Sequence, residues 1–533
     1  MDMDPSLVKI SGDGLTLSKV ASVARQGSRV ELASDPVVAN KILSSRQLLE
    51  RKLAAGEVIY GVNTGFGGNV RFLIPDKDLS FHQKNLFRSL SCGVGQPLPA
   101  DAVRAAMLLR ANALAKGLSG IRLEIIERLL DLLNHRITPV VPRYGSVGAS
   151  GDLIPSAYIG RVLLGEGEVF YQDKKVPAAE ALRQAKVTRS ELTAKEGLAL
   201  VNGTTIMTGI AALVIYDGAY LARLVLACAS LAIEALNATA DPFSEAIHRA
   251  KNHPGQVEAA SLCRKLLQDS RYVRNLDEIR TRVGAERKAS EAKTIHSDEA
   301  IQTPYSLRCV PQGIGPVLDA LRAHQVVLER EINSANDNPL IDPVEGRVYH
   351  TGNFYGGHVA RALDSWKIDL TTLANWLHSI MAMLIDDRFS SGLPPNLTRE
   401  PGLSSGFKGM QLCLTSLVCA MRHLANPSLV HSLPTEQYNQ DMVSLGTHAA
   451  LTAMEMTALA RDGAAISLLA LCQAIDLRGG RDHLGIGTRA VFETVRKAVT
   501  VLDKDRPLDN DIARTSELIR GRLLPLPEME DGL

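Results

Sequence analysis

The chain has 533 residues, 45% of them hydrophobic and 22% charged, close to the average for a globular protein. Its 59 basic side chains balance 58 acidic ones, which leaves no net field to hold a nucleic acid or an anionic membrane. Aromatic residues make up only 4%, too few for base-stacking platforms, so most nucleic-acid binders are excluded.

The opening MDMDPSLVKI has no basic stretch followed by an apolar one, so no signal peptide is expected. Short strands are predicted at Val58–Tyr60 and Glu168–Tyr171, with a weaker one at Val30–Leu32. Three loops dense in glycine follow one another: YGVNTGFGGN at 60–69, CGVGQP at 92–97 and RYGSVGASGD at 143–152. Loops of this kind on a rigid scaffold often carry chemistry. Asp152 and Pro155 suit the start of a helix that ends by Gly165. Leu198–Tyr216 is apolar but interrupted by Asn202-Gly203-Thr204-Thr205, and Leu221–Leu236 carries Arg223 and Glu234. A lipid-facing helix would not choose these residues.

Helical periodicity dominates from about residue 78 onward. Long helices are predicted near 203–236, 407–424 and 449–476. Ile314, Val317, Leu318 and Leu321 mark one helical face. Leu363, Trp366, Leu370, Leu373, Leu377, Ile380 and Leu384 mark a longer one, packed at a shallow angle against neighbours. The expectation is a mainly α fold read as one unit. Residues 1–200 form a loop-rich N-terminal part, and 201–533 a long central helix bundle with a C-terminal helical layer. The seven cysteines show no CxxC pair and read as small buried hydrophobes in a reducing compartment, so the chain is expected to be soluble and cytoplasmic.

Several standard motifs are absent. There is no HExxH, and the 13 histidines form no metal-ligand cluster at the usual spacing. The glycines at 61–68 spell neither GxGxxG nor a P-loop, and Gly148-Ala149-Ser150-Gly151-Asp152 is not the GxSxG nucleophile elbow. What Gly145–Pro155 offers is different chemistry. Ala149 and Gly151 flank Ser150 with almost no bulk, so the Gly151 nitrogen can approach the Ala149 carbonyl carbon. Ring closure with loss of water, then loss of the Ser150 hydroxyl, would leave an exocyclic methylidene, a strong electrophile beside a helix N-terminus. A plain turn before a helix is the alternative the residues leave open.

Ala149-Ser150-Gly151 within GSVGASGDL resembles the self-cyclising triplet of the histidine and aromatic amino acid ammonia-lyase family. The likeness extends along the chain through YGVNTGFG at 60–67, LVNGT at 200–204, QTPYSLRCVPQ at 302–312, NDNPL at 336–340, GNF at 352–354 and EQYNQDMVSLG at 436–446. The resemblance implies a homotetramer of ammonia-lyase/fumarase-aspartase-like architecture, with active sites built from three subunits. It implies a methylidene-imidazolone formed from Ala149, Ser150 and Gly151, with neither pyridoxal phosphate nor metal. Tyr60 is then the base that takes the β-proton, and Tyr305 assists the elimination. Arg308 clamps the substrate carboxylate, with Asn338 nearby. Asn202 and Gln302 hold electrophile and substrate, and Phe354 supports the imidazolone. Gln302, Tyr305 and Arg308 recur every three residues, which suits one helical turn. Three positions depart from the family pattern: Thr303 for an acid, Gly357 for glutamine and Ser156 for leucine.

Five positions speak to the substrate. Gln440 stands where histidine lyases resemble one another in a glutamate, and Leu90 stands where they carry histidine. Lys408 and Glu436 resemble residues that recur in phenylalanine lyases, so the chain is expected nearest the bacterial members of that branch. Ser89 next to Leu90 implies a roomy ring pocket. The expectation is an aromatic L-amino acid ammonia-lyase. The rivals are a 2,3-aminomutase, a histidine lyase and a non-catalytic helical scaffold.

Overall fold

Nineteen α-helices and nine short strands make up the regular structure of residues 7–529, the part of the chain that the computed structural model describes. The mainly α fold follows the apolar periodicity. Leu363, Trp366, Leu370, Leu373, Leu377, Ile380 and Leu384 all lie buried along Gly357–Ile385, and Ile314, Val317, Leu318 and Leu321 along Val310–Ile332. The segments near 203–236, 407–424 and 449–476 are the helices Thr205–Ala235, Lys408–Leu424 and Gly446–Arg478. Three helices, Thr205–Ala235, Gly357–Ile385 and Gly446–Arg478, are long and apolar enough to cross a membrane by length and composition. Protein buries 89% of the first one's most apolar stretch and 78% of the third's, but only 44% of the second's, where Ile368 is exposed and Trp376 and Met383 are half-buried.

The chain divides into two units, each discontinuous, whereas the sequence reading divides it in order at 200/201. The first holds residues up to Tyr216 with His324–Ser365 and Pro427–Met454; the second holds Asp217–Ala323, Trp366–Asn426 and the chain from Glu455 onward.

In the first unit, Leu7–Ile10 pairs in parallel with Arg29–Leu32. Glu168–Tyr171 pairs antiparallel with both Lys174–Pro177 and Thr138–Pro139, and Val94–Pro97 with Pro142–Tyr144. Val58–Tyr60 is not a strand. Ile59 N–H donates to Asn63 Oδ1 at 2.7 Å and Tyr60 N–H to His350 Nε2 at 3.3 Å, so side chains take the bonds a ladder would need. Ile59 and Val62 are buried with Leu48, Leu49 and Ile341, which anchors the start of the 60–69 loop from below.

In the second unit Glu234 is fully buried, and one carboxylate oxygen accepts from Gly485 N–H at 2.7 Å. Burial pushes its carboxyl from 4.5 up to about 7, against the lowering effect of hydrogen bonds from Ser270, Gly485 and Thr488. The folded chain therefore binds this proton more tightly than the unfolded chain. The associated stability is whole below about pH 4.5 and is lost as pH rises through about 7. Glu234→Gln is expected to melt with the wild type at pH 4 and to be the more stable of the two at pH 8, by on the order of 3 kcal/mol. Unfolding midpoints at the two pH values check this.

The cysteines only partly fit the buried reading. Cys228, Cys263 and Cys472 are buried and Cys309 half-buried, but Cys92, Cys413 and Cys419 are exposed, and none is in a disulfide. Cys413 and Cys419 sit on the outward side of Lys408–Leu424, whose buried side is Met410, Leu414, Val418 and Met421.

Candidate active site

Ala149-Ser150-Gly151 lies in the turn between the strand Pro142–Tyr144 and the helix Leu153–Leu163. A short parallel bridge to Gly203 holds it: Gly203 N–H donates to Ser150 O at 3.1 Å, and Asp152 N–H to Gly203 O at 2.8 Å. The two backbones approach so closely that a Cβ at Gly151, where φ is +70°, would overlap the Gly203 carbonyl. Asp152 directly precedes its own helix but does not cap it with its side chain. Its buried carboxylate instead accepts from Ile206 N–H at 3.0 Å and Met207 N–H at 2.9 Å, at the start of Thr205–Ala235, and bonds Ser146 and Thr447. Burial raises the Asp152 carboxyl pKa, and these donors oppose the rise. The turn is thus pinned on both sides of Ser150.

Ser150 opens onto a cavity of about 460 Å³ in the first unit, of the size that takes a small-molecule ligand. Tyr60, Ser89, Leu90, Asn202, Glu436 and Gln440 share its lining. Gln440 Nε2 donates to Ser150 Oγ at 3.3 Å. Tyr60 is half-buried and its hydroxyl oxygen accepts from Gly67 N–H at 2.8 Å. Burial raises the Tyr60 pKa; the Gly67 bond works against this and the nearby Glu436 charge adds to it. Asn202 is 2% exposed, its own carbonyl accepts from Arg110 Nη1 at 2.6 Å, and its Oδ1 has no partner among the described residues.

Sequence reasoning missed Phe66, Leu86 and Leu198, which with Phe72, Ile74 and Leu153 make the wall largely apolar, and His82 beside them. His82, Leu86 and Ser89 are four and three residues apart on Leu79–Ser89, so helical spacing from Ser89 would have found them. Phe66 stacks on His82 with centroids 4.2 Å apart. His82 Nε2 lies 3.0 Å from Thr64 O, and a carbonyl only accepts, so Nε2 carries the proton. Burial lowers the His82 pKa, which keeps the ring neutral. Arg110 was also missed; it is buried, with its pKa brought down to about 10 by burial.

The remaining predicted residues are placed elsewhere. Gln302, Tyr305, Arg308 and Lys408 belong to the second unit and do not line the cavity. Tyr305 and Arg308 share the short helix Tyr305–Arg308, with the guanidinium 4.4 Å over the ring, but Gln302 precedes that helix and lies off its turn because Pro304 begins it. Arg308 Nε donates to Thr303 O at 3.0 Å. Lys408 is exposed at the first position of Lys408–Leu424. Asn338 is nearly buried and its Oδ1 accepts from Thr351 N–H at 2.8 Å, while Phe354 is half-buried; neither lines the cavity.

The triplet's surroundings fit self-cyclisation. Among the described residues neither the Gly151 N–H nor the Ala149 carbonyl enters a hydrogen bond, while Ser150 O and Asp152 N–H on the same turn are tied to Gly203. The two atoms that must join are the ones left uncommitted. The orphaned Asn202 Oδ1 is a buried acceptor in the same cavity, which a donor on the formed group or its substrate would satisfy.

Comparison with known proteins shows what the chain is similar to. A family model described as aromatic amino acid lyase matches residues 15–497. A protein named histidine ammonia-lyase from Caldanaerobacter subterraneus subsp. tengcongensis is 39% identical, over 99% of both chains. Among solved structures, a tyrosine aminomutase from Streptomyces globisporus superposes with a TM-score of 0.93 at 35% identity, covering 97% of each chain. A Pantoea agglomerans phenylalanine aminomutase gives 0.92 at 35% identity, covering 96% of this chain and 98% of its own. The sequence match does not set the chain beside bacterial phenylalanine lyases.

Proposed function

Since the chain belongs to the aromatic amino acid lyase family, we propose that it is an aromatic L-amino acid ammonia-lyase. It eliminates ammonia from phenylalanine- and tyrosine-type substrates to give trans-arylacrylates. The observation that carries the reading is the convergence of Tyr60, Ser150, Asn202 and Gln440 on one cavity that an apolar wall of Phe66, Leu86, Leu90 and Leu198 completes. An imidazolone formed from Ala149-Ser150-Gly151 supplies an electrophile that makes the substrate amine a better leaving group. Tyr60 takes the β-proton at its hydroxyl oxygen, Asn202 and Gln440 orient groups at the electrophile, and the 60–69 loop excludes water.

Two observations support a homotetramer with shared sites. Among the described residues lining the cavity there is no lysine or arginine to meet a substrate carboxylate, and Arg308 of another copy would supply one. The less-buried side of Gly357–Ile385, with Ile368 exposed, would be covered in such an assembly.

The ring end favours phenylalanine and tyrosine over histidine. Leu90 gives an imidazole no hydrogen bond, a loss of ~1–3 kcal/mol for each group stranded. Ser89 Oγ donates to Leu86 O at 2.9 Å, so it can only accept from a ligand. It can therefore bind a ring hydroxyl but gives a methoxyl group room alone. Ser89→Phe is expected to move kcat/KM towards phenylalanine and Ser89→His towards tyrosine. Ratios unchanged within about twofold, ~0.4 kcal/mol, would remove Ser89 from the ring pocket.

A second reading, an aminomutase that returns the amine to the β-carbon, is favoured by the names of the two superposed structures. Incubation with phenylalanine, tyrosine and histidine separates the readings. Conjugated acrylate plus ammonia from the first two is expected. A β-amino acid with no free acrylate indicates the mutase, and turnover of histidine alone overturns the proposed substrate class.

A further inference from the structure

One short loop holds both the Tyr60 loop and the triplet. Thr435 and Gln440 close it through a backbone bridge, with Thr435 N–H donating to Gln440 O at 2.9 Å. Between them Glu436, Gln437 and Tyr438 have φ of +50°, +54° and +60°. L-residues avoid three consecutive left-handed conformations unless their surroundings enforce them. What the turn achieves is placement. At one end Gln440 reaches Ser150 Oγ; at the other, both oxygens of Glu436 accept from Gly68 N–H, at 3.1 and 2.8 Å. A Cβ at Gly67 would fall inside the Glu436 carboxylate, so the approach depends on glycine there. The adjacent Gly67 N–H is the donor to Tyr60 Oη, at 2.8 Å.

We propose that Glu436 is the latch of the Tyr60 loop, a positioning residue whose carboxylate grips the Gly67–Gly68 backbone and through it sets the Tyr60 hydroxyl over the cavity. Its importance for turnover rests on the reading of Tyr60 as the base. A direct electrostatic aid to Tyr60 ionisation has the wrong sign, because a carboxylate disfavours a tyrosinate beside it. Holding geometry is the role its position serves.

The test is amide hydrogen exchange over residues 60–69 of the full chain without substrate, paired with steady-state kinetics, for wild type, Glu436→Ala and Glu436→Gln. Glutamine keeps an acceptor oxygen for Gly68 N–H and removes the charge. In Glu436→Ala the loop amides are expected to exchange at least ~tenfold faster, with kcat falling more than KM rises. Glu436→Gln should keep protection within ~threefold of wild type and recover most of kcat. Unchanged loop protection in the alanine variant overturns the latch. So does a glutamine variant as inactive as alanine with the loop still protected, which marks a charge acting on substrate instead. If Glu436→Ala fails to fold, Glu436→Asp, which keeps the charge but shortens the reach to Gly68 N–H, should show the same direction of lost protection. The exchange results do not depend on turnover, and mass spectrometry of the triplet reports separately on the imidazolone, so failure of the latch and failure of the lyase reading are told apart.

Discussion

Ser150→Ala is expected to give a folded, unmodified protein whose turnover is at least ~a thousandfold slower, several kcal/mol added to the barrier. The fold should survive because Ser150 is only half-buried and its hydroxyl makes one long bond, from Gln440 at 3.3 Å. The bonds that pin the turn run from Ser150 O, Asp152 N–H and the Asp152 carboxylate, and alanine keeps all of them. What is lost is the leaving hydroxyl, without which ring closure cannot continue to the methylidene. Intact-mass measurement should find the wild type lighter than its translated sequence by two waters and the variant at its full translated mass. A fully active wild type of unmodified mass would end the electrophile reading.

Tyr60→Phe is expected to keep that mass deficit and still lose roughly a hundred- to ten-thousandfold in kcat, the range for removing a general base. The two variants therefore separate making the electrophile from using it. A pH dependence follows from the environment of Tyr60. Burial and the Glu436 charge hold its pKa above the ordinary value of 10, with the Gly67 bond opposing them. A base that works deprotonated then gains activity as pH rises, and the wild-type rate should climb through the alkaline range while the phenylalanine variant stays flat. A wild-type profile that falls above neutrality would remove Tyr60 from the role.

The sequence made the long helices legible because three- and four-residue apolar spacing needs only local chain geometry. It also singled out Tyr60, Ser89, Leu90, Ser150, Asn202, Glu436 and Gln440, which come together on one cavity from positions hundreds of residues apart. Long-range side-chain bonds left no local trace. Asp152 looks like the cap of the helix it precedes, yet its carboxylate serves the helix that begins at Thr205. Val58–Tyr60 has strand composition, but Asn63 and His350 take its backbone N–H groups. His82 and Phe66 went unnoticed because a lone histidine on a helix face is most often a packing residue. Tyr305 and Arg308 were legible as a motif, yet their place in the second unit could not be read from spacing.

The cysteines of the second unit lend themselves to use as a built-in gauge of chain opening. Burial raises the thiol pKa of Cys228, and pushes those of Cys263 and Cys472 up to about 12, so a thiol-specific reagent finds neither access nor thiolate while the fold is closed. Cys92, Cys413 and Cys419 stand in the open and label at once, and half-buried Cys309 comes next. The early labelling count thus calibrates the reagent, and the slow arrival of three further labels times the rare excursions that expose the interior. Such a clock runs without substrate, so stability changes in any variant can be measured even where catalysis has been silenced.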